Sequence, residues 1–254
     1  MKILLHISFV GTKYCGYQVQ PNGITIQQKL NEATEHVFGF PCDIVGCSRT
    51  DSGVHANEFC ATVSKKKQDD IVTSIPIDRI PLALTAYLPE DISVKFAEWV
   101  DNEFHARYNV KYKEYIYKIW NHPVRNPFLS DLALHCPKKI HDDMLKKMQD
   151  AASRYVGTHD FSSYMASDSK VNDTVRTVTE AQVYKEGDNI IIFRVCADGF
   201  LYNMVRIMTG TLLDVAYGKI DPAEIDSITK SCDRRKAGST AAACGLYLNK
   251  VVYN

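Results

Sequence analysis

The segment GCSRTDSGVHA, residues 46–56, contains the clearest candidates for chemistry in the sequence. Arg49 and Asp51 are two residues apart, so an extended backbone points both side chains to the same side. A carboxylate beside a guanidinium stays ionised, and an ionised carboxylate suits a nucleophile or a base better than a general acid. Thr, Asp, Ser and Gly also favour turns, so a plain polar turn is the alternative and the string alone leaves both open.

The segment FHARYNVKYKEYIYKIWN, residues 104–121, interleaves tyrosines with basic residues. Aromatic rings beside cations can stack nucleobases while the cations hold phosphates. The alternative, favoured for most of these residues, is an amphipathic strand with buried tyrosines and solvated lysines. Tyr115 and Tyr117 share one face of such a strand, so at most this pair faces a cleft.

Two segments near the C-terminus are also candidates. In DGFLYNMVRIMTGTLLDV, residues 198–215, the apolar residues predict a helical stripe that leaves Arg206 off its centre. The usual explanation of such a residue is that the arginine is solvated. The alternative is that the helix presents Arg206 to Asp51, and helical periodicity does not decide between the two. In CDRRKAGSTAAACGLYL, residues 232–248, the basic run predicts a solvated loop, with phosphate contact less favoured.

The elements that position these residues predict an α+β protein. The first part has the order β-α-β-β-α-β of a ferredoxin-like split, with strands at 2–9, 42–48, 57–64 and 92–100. Its first helix begins after an N-cap at Thr25 and ends at Gly39, and its second helix covers 77–88. The second part repeats the scheme loosely, with strands at 109–120, 175–186, 189–197 and 245–253 and helices at 140–155, 200–216 and 222–231. We predict two α+β domains, 1–105 and 106–254; a single irregular domain is the alternative.

Composition limits the class of protein. The 254 residues are 45% hydrophobic, which indicates a packed core. Lys+Arg and Asp+Glu number 30 each, so the net charge is zero. Because proteins that bind nucleic acids usually carry excess positive charge, this is weak evidence against such a partner, unless the basic residues gather on one face. The eight cysteines form no CxxC pair and the histidines do not cluster, so we predict no structural metal and reduced thiols. A short apolar N-terminus and no apolar run long enough for a bilayer predict a cytoplasmic protein without a membrane span.

Seven segments follow one another along nearly the whole chain: GTKYCGYQVQPNGITIQQKL, SRTDSGVHA, FHARYNVKYKEYIYKIWN, GTHDFSSY, NDTVRT, GFLYNMVRIMTG and DRRKAGSTAAACGLYL. Together they resemble the tRNA pseudouridine synthase A family. The resemblance implies isomerisation of RNA uridine to pseudouridine without cofactor or metal, in a cleft between two ferredoxin-like halves that share one continuous, mostly antiparallel sheet. It also implies the roles of site residues: Asp51 as the catalytic residue, Arg49 for extruding the nucleotide, Tyr115 for stacking on the base, Arg206 for pairing with Asp51, Leu246 as the apolar residue under the base, and Arg107 and His55 as further contacts.

The same resemblance implies a homodimer that binds the anticodon arm of tRNAs and modifies uridines 38, 39 and 40. The chain departs from the family pattern at Val10, Glu58, Phe59 and Cys232. We predict that these positions surround the RNA, so that another tRNA position or ribosomal RNA is an alternative substrate. A non-catalytic RNA-binding protein would show an RNP1-type aromatic string, and an Asp-dependent glycosidase would need a second carboxylate; we find neither.

Overall fold

A computed structural model describes residues 1–166 and 171–254. Over these residues the chain has ten β-strands, which we number in chain order: β1 Lys2–Phe9, β2 Cys42–Gly46, β3 His55–Lys65, β4 Ile92–Val100, β5 Val110–Trp120, β6 Leu134–His135, β7 Gly157–Asp160, β8 Val175–Glu186, β9 Ile190–Ala197 and β10 Leu246–Tyr253. The same residues form five α-helices: α1 Ile26–Phe38, α2 Ile80–Thr85, α3 Asp142–Ser153, α4 Met204–Ala216 and α5 Glu224–Ser231.

The strands belong to one ten-stranded sheet with the order β4-β1-β3-β10-β5-β9-β8-β7. In addition, β2 pairs with β3 and β6 pairs with β5. The predicted mixed α+β class is therefore confirmed. The short strand β6 runs parallel to β5. None of the described helices is both long and apolar enough to cross a membrane.

Contacts divide the chain into two compact units. The first contains Met1–Lys111 together with Leu248–Asn254, and the second contains Tyr112–Tyr247. Compared with the predicted division at 105 and 106, the first unit runs further along the chain and also includes most of β10, the last strand. Asp51 lies in the first unit, whereas Tyr115 and Arg206 lie in the second.

In the first unit, strands β4, β1, β3 and β2 lie side by side with antiparallel registers. Because β3 separates β1 from β2, the unit has the split β-α-β order that the sequence predicts. Helix α1 buries Ile26, Leu30 and Ala33, one helical face. Its predicted ends are confirmed, since the Thr25 side chain accepts the Gln28 amide and Gly39 adopts φ 76°.

In the second unit, β5, β9, β8 and β7 are antiparallel neighbours, and the short β6 runs parallel to β5. Helix α3 packs on β8 and on α4. Helix α4 begins at Met204, later than the predicted residue 200. The reason is Asn203, whose φ of 60° is left-handed and cannot lie inside a right-handed helix.

Candidate active site

Arg49 and Asp51 lie in a loop, residues 47–54, which connects β2 to β3. The two strands pair from Cys42 with Lys65 to Gly46 with Ala61, so the loop is the connection of a hairpin. Within it, the Val54 amide donates to the Asp51 carbonyl at 3.2 Å, and Gly53 adopts φ 78°. The segment is therefore a turn, as one of the two interpretations predicts, and the turn is what holds Asp51.

A second loop, residues 11–17, holds the Asp51 loop through its backbone. The Tyr17 amide donates to the Thr50 carbonyl at 3.1 Å, and the Gly53 amide donates to the Tyr14 carbonyl at 3.4 Å. The Ser52 hydroxyl donates to the same Tyr14 carbonyl at 3.1 Å. Three hydrogen bonds on both sides of Asp51 fix the backbone of this residue before any substrate binds.

Two glycines allow the loops to approach this closely. A Cβ on Gly11 would overlap the Val54 carbonyl, and a Cβ on Gly16 would lie 2.5 Å from the Thr50 oxygen. Gly16 also adopts φ 81°, a conformation that side chains disfavour. The glycines of GTKYCGYQ are thus explained by contact with the Asp51 loop.

Exposure alternates along the loop. Arg49 is exposed, Thr50 is buried and Asp51 is half-buried. His55, predicted as an RNA or active-site contact, is completely buried and accepts the Gly11 amide through Nδ1 at 3.0 Å. We therefore place His55 among the residues that position the loop, because it offers no surface to RNA.

One of the predicted rim positions lies elsewhere. Phe59 is fully buried and stacks on Tyr17 with ring centroids 4.3 Å apart, so its prediction as an RNA-rim residue is wrong. The reason is strand alternation, because Glu58 and Phe59 of β3 point to opposite faces. Glu58 is half-buried, Val10 is exposed and Cys232 is an exposed left-handed residue that ends α5.

In the second unit, Tyr115 and Tyr117 lie on the same face of β5, as predicted. Tyr115 is 6% exposed and meets Phe200 edge-on, with centroids 4.9 Å apart. Tyr117 is fully buried, and its hydroxyl donates to the Ala242 carbonyl at 2.6 Å. Of the two rings, Tyr117 is committed to the core, which leaves Tyr115 as the candidate for substrate contact.

Arg206 lies in the first turn of α4 and is half-buried. Its Nε donates to the Ala241 carbonyl at 2.8 Å, and its Nη1 donates to Oδ1 of Asn203 at 2.7 Å. The Ala241 amide in turn donates to the Arg206 carbonyl at 3.1 Å. The side chain is therefore held in place, not freely solvated, and the periodicity of α4 contains no sign of these partners.

The loop that contains Ala241 packs directly on α4. The Gly238 amide donates to the Thr211 hydroxyl at 2.9 Å, and Arg234 donates to the Ala237 and Gly238 carbonyls at 3.2 and 2.9 Å. The basic run is thus not purely solvated, because Arg234 braces the loop. Arg235, by contrast, is exposed and pairs with Asp233, whose pKa it lowers to about 2.

Two other predicted residues, Leu246 and Arg107, differ in exposure. Leu246 is buried as the first residue of β10. Arg107 is exposed, and its guanidinium lies over the ring of Tyr108, 5.8 Å from the centroid. Tyr108 is itself 75% exposed, so the pair presents a cation and an aromatic face to solvent.

A model of the tRNA pseudouridine synthase family matches residues 151–254. A tRNA pseudouridine synthase A of Exiguobacterium sp. is 43% identical over 99% of this chain and 98% of its own length. The chain belongs to the tRNA pseudouridine synthase family. Relatives with the same name from Caldicellulosiruptor saccharolyticus and Bacillus licheniformis are 41% and 43% identical, over 99% and 100% of this chain and 99% and 100% of their own lengths.

Family membership confirms the resemblance drawn from the motifs, whereas the roles of individual residues stay predictions. Among the described residues, the one group of His, Cys, Asp and Glu side chains close enough to share a metal ion is His6, Glu58 and Cys60. Asp51 does not belong to that group. The eight cysteines are free thiols, in agreement with the prediction from their spacing.

Proposed function

We propose that this chain isomerises uridine to pseudouridine in tRNA, with Asp51 as the catalytic nucleophile. The observation that carries the proposal is the position of the RTDSGVHA string on a braced loop, in a chain that belongs to the tRNA pseudouridine synthase family. The relatives that are 41% to 43% identical to this chain, over 98% to 100% of their own lengths, are each named tRNA pseudouridine synthase A.

The reaction breaks the N1–C1′ glycosidic bond, turns the base and joins C5 to C1′. The proton that leaves C5 is balanced by one gained at N1, so the product is an isomer and needs no oxidant or reductant. The protein must hold an ionised carboxylate next to the nucleotide, keep the freed base from escaping and accept the C5 proton. Asp51 supplies the carboxylate, which attacks either C1′ of the sugar or the base; removal of a sugar proton by Asp51 is the third alternative.

Preorganisation supports the assignment of Asp51. Hydrogen bonds with residues 11–17 hold the backbone on either side of it, and the adjacent Thr50 is buried. A nucleophile held in its reacting position contributes to rate by removing the entropy cost of alignment. Arg206, fixed by Asn203 and Ala241, acts with Asp51 in this proposal, because a positive guanidinium keeps a carboxylate ionised.

The other site residues act on the extruded nucleotide. Arg49, exposed beside Asp51, occupies the space that the base leaves. Flipping costs a few kcal/mol of unstacking and is easiest in loops and at helix ends. Tyr115 stacks on the base and helps to move the C5 proton, while Leu246 supports the base from below.

RNA binding in this proposal depends on shape and backbone charge more than on base identity. The exposed pair of Arg107 and Tyr108 fits that role, because it can meet a phosphate and a base at once. We propose the anticodon arm as the substrate, a homodimer as the active form and the cytoplasm as the location. Another tRNA position or ribosomal RNA is the second candidate, since Glu58 and Val10 depart from the family pattern.

The substitution Asp51→Asn tests the catalytic assignment. We expect no pseudouridine in an unmodified anticodon-arm transcript, as read by carbodiimide labelling and primer extension. The control is Asp69→Asn, which changes a carboxylate of the same unit that is 89% exposed and should keep full activity. Circular dichroism and urea unfolding check that both variants fold. Full activity of the Asp51 variant would remove Asp51 from the mechanism.

The substrate is tested separately. Wild-type protein is incubated with total tRNA and, in parallel, with ribosomal RNA from cells that lack the enzyme, and each new pseudouridine is mapped. We expect modification in the anticodon arm alone. Modification at other sites only would keep the proposed chemistry and replace the proposed substrate.

A further inference from the structure

His6, Glu58 and Cys60 form a compact cluster on the sheet of the first unit. His6 lies on β1 and is the register partner of Cys60 on β3, so their side chains share a face. Glu58 is two residues before Cys60 and lies on that same face. The donor atoms of the three side chains are all within 4.8 Å of one another.

We propose that this cluster binds a divalent transition-metal ion of the zinc class, with His6 Nδ1, Glu58 Oε1 and Cys60 Sγ as ligands. The distances from His6 Nδ1 are 3.1 Å to Glu58 Oε1 and 3.7 Å to Cys60 Sγ. Zinc bond lengths of about 2.0–2.3 Å at a tetrahedral angle place such ligand pairs about 3.4 Å and about 3.5 Å apart. Two edges of the coordination tetrahedron are therefore almost formed.

Glu98 on β4 completes the arrangement around the imidazole. Its Oε1 is 3.2 Å from His6 Nε2, the ring nitrogen that faces away from Glu58. A metal-binding histidine almost always donates its other N–H to a carboxylate or carbonyl, which fixes the tautomer and orients the ring. With the proton of Nε2 directed at Glu98, the lone pair of Nδ1 points toward Glu58 and Cys60.

The contact between Nδ1 and the Glu58 carboxylate needs a hydrogen or a metal ion between the two atoms. A carboxylate oxygen and an imidazole lone pair are both acceptors, so at 3.1 Å either a proton or a metal ion must lie between them. Cys60 Sγ favours the metal, because it brings a third donor to the same nitrogen and a thiolate is a preferred zinc ligand.

The surroundings admit an ion from solvent. The side chains of His6 and Glu58 are 18% and 27% exposed, so an entry path exists, whereas Cys60 is completely buried. A metal ion that binds Cys60 displaces the proton of the thiol. Three protein ligands plus one water give the four-coordinate geometry that zinc prefers.

Sequence spacing hides this site, which is why the sequence predicts no metal. Its ligands come from two strands, with Glu58 separated from His6 by 52 positions and Cys60 by 54. Glu58 is also one of the departures from the family pattern. The site is therefore proposed for this chain and does not depend on the proposed reaction.

Cobalt(II) is the probe for the test, since it occupies zinc sites and reports thiolate ligation in its absorption. The reduced, chelator-treated full chain is titrated with Co²⁺ and then with Zn²⁺. We expect a thiolate-to-cobalt charge-transfer band that saturates at one ion per chain and disappears when zinc displaces cobalt. The absence of a band in the folded wild-type chain would overturn the proposal, and a proton would then bridge His6 and Glu58.

Variants assign the band to these residues. Cys60→Ser should abolish it, and Glu98→Gln should weaken Co²⁺ binding by about 10- to 100-fold without removing the band. The matched control is Cys196→Ser, since Cys196 Sγ also lies beside a carboxylate, at 3.4 Å from Glu114 Oε2, but with Arg194 in place of a histidine. Its band should equal that of the wild type. If Cys60→Ser misfolds, Glu58→Gln at the surface edge gives the same answer by weakening binding. A band that survives in Cys60→Ser, an unchanged Co²⁺ affinity in Glu58→Gln, or a band that Cys196→Ser abolishes would refute the site.

Discussion

The backbone amide of Gly11 donates a hydrogen bond to Nδ1 of His55, at 3.0 Å and out of contact with water. This bond joins the loop of residues 11–17 to the start of β3, immediately after the turn that carries Asp51. His55 therefore affects Asp51 through the backbone, although it offers no surface to a substrate. The histidine of the RTDSGVHA string is thereby explained as a positioning residue.

Replacing His55 should destabilise the first unit. In His55→Ala the Gly11 amide stays buried without its acceptor, which costs about 1–3 kcal/mol of unfolding free energy. Urea unfolding measures the loss, and kcat should fall with it because the Asp51 turn loosens. The matched control is His122→Ala, which removes a bond of the same kind at the surface, from the Val124 amide to Nδ1 at 3.1 Å. Equal losses in the two variants would contradict the positioning role.

The close approach of the two loops at Gly16 makes a second prediction. Gly16→Ala places a Cβ 2.5 Å from the Thr50 carbonyl oxygen at a left-handed φ of 81°. The control Gly187→Ala has a similar left-handed φ of 65° with no atom within 4 Å of the added Cβ. The control measures the conformational cost alone, about 1–2 kcal/mol.

The difference between the two alanine variants isolates the clash with the Thr50 carbonyl. We expect Gly16→Ala to lose more unfolding free energy than Gly187→Ala in urea, and to lose kcat, while Gly187→Ala keeps kcat. Equal unfolding free energies together with an unchanged kcat would show that the Asp51 loop tolerates displacement.

Much of the fold was predictable because its signals are local. Thr25 and Gly39 mark the ends of α1 through bonds and dihedral angles within a few residues. The features of the fold that the sequence does not predict depend on distant partners, on single dihedral angles or on very short elements. The start of α4 depends on the left-handed Asn203, and the strands β6 and β7 are too short to show alternation.

The candidate site shows the same contrast. The loop of Asp51 was recognisable as an unusual polar turn, and Tyr115 and Tyr117 as one face of a strand. The anchoring of Arg206 by the Ala241 carbonyl is not recognisable from the sequence, since the two residues are 35 positions apart. The core position of Phe59 was missed as well, because the face of a strand that is buried depends on the layer that packs against it.

Substitutions of Arg206 and Arg234 distinguish a role in catalysis from a structural role in holding the loop that follows Arg234. Both donate to carbonyls of the loop that follows Arg234, Arg206 to Ala241 and Arg234 to Ala237 and Gly238. Lysine keeps the charge of either residue but cannot make the several directed bonds of a guanidinium. Arg206→Lys and Arg234→Lys should therefore both lower the urea midpoint.

Only Arg206→Lys should lower kcat, because only Arg206 is proposed to act with Asp51. Single-turnover rates on the anticodon-arm transcript separate this effect from RNA binding. Equal falls in kcat for the two variants would reduce Arg206 to a loop anchor.

The two buried tyrosines of β5 separate stacking from proton transfer. Tyr115→Phe keeps the ring that stacks on the base but removes the hydroxyl, so we expect KM for the RNA to stay near its original value while kcat falls. Tyr117→Phe removes the buried bond from its hydroxyl to the Ala242 carbonyl, and should cost about 1–3 kcal/mol of unfolding free energy with kcat retained. Steady-state kinetics and urea unfolding on both variants give the comparison. A Tyr115→Phe enzyme with full kcat would limit Tyr115 to stacking, because the C5 proton would then leave by a route that does not need its hydroxyl.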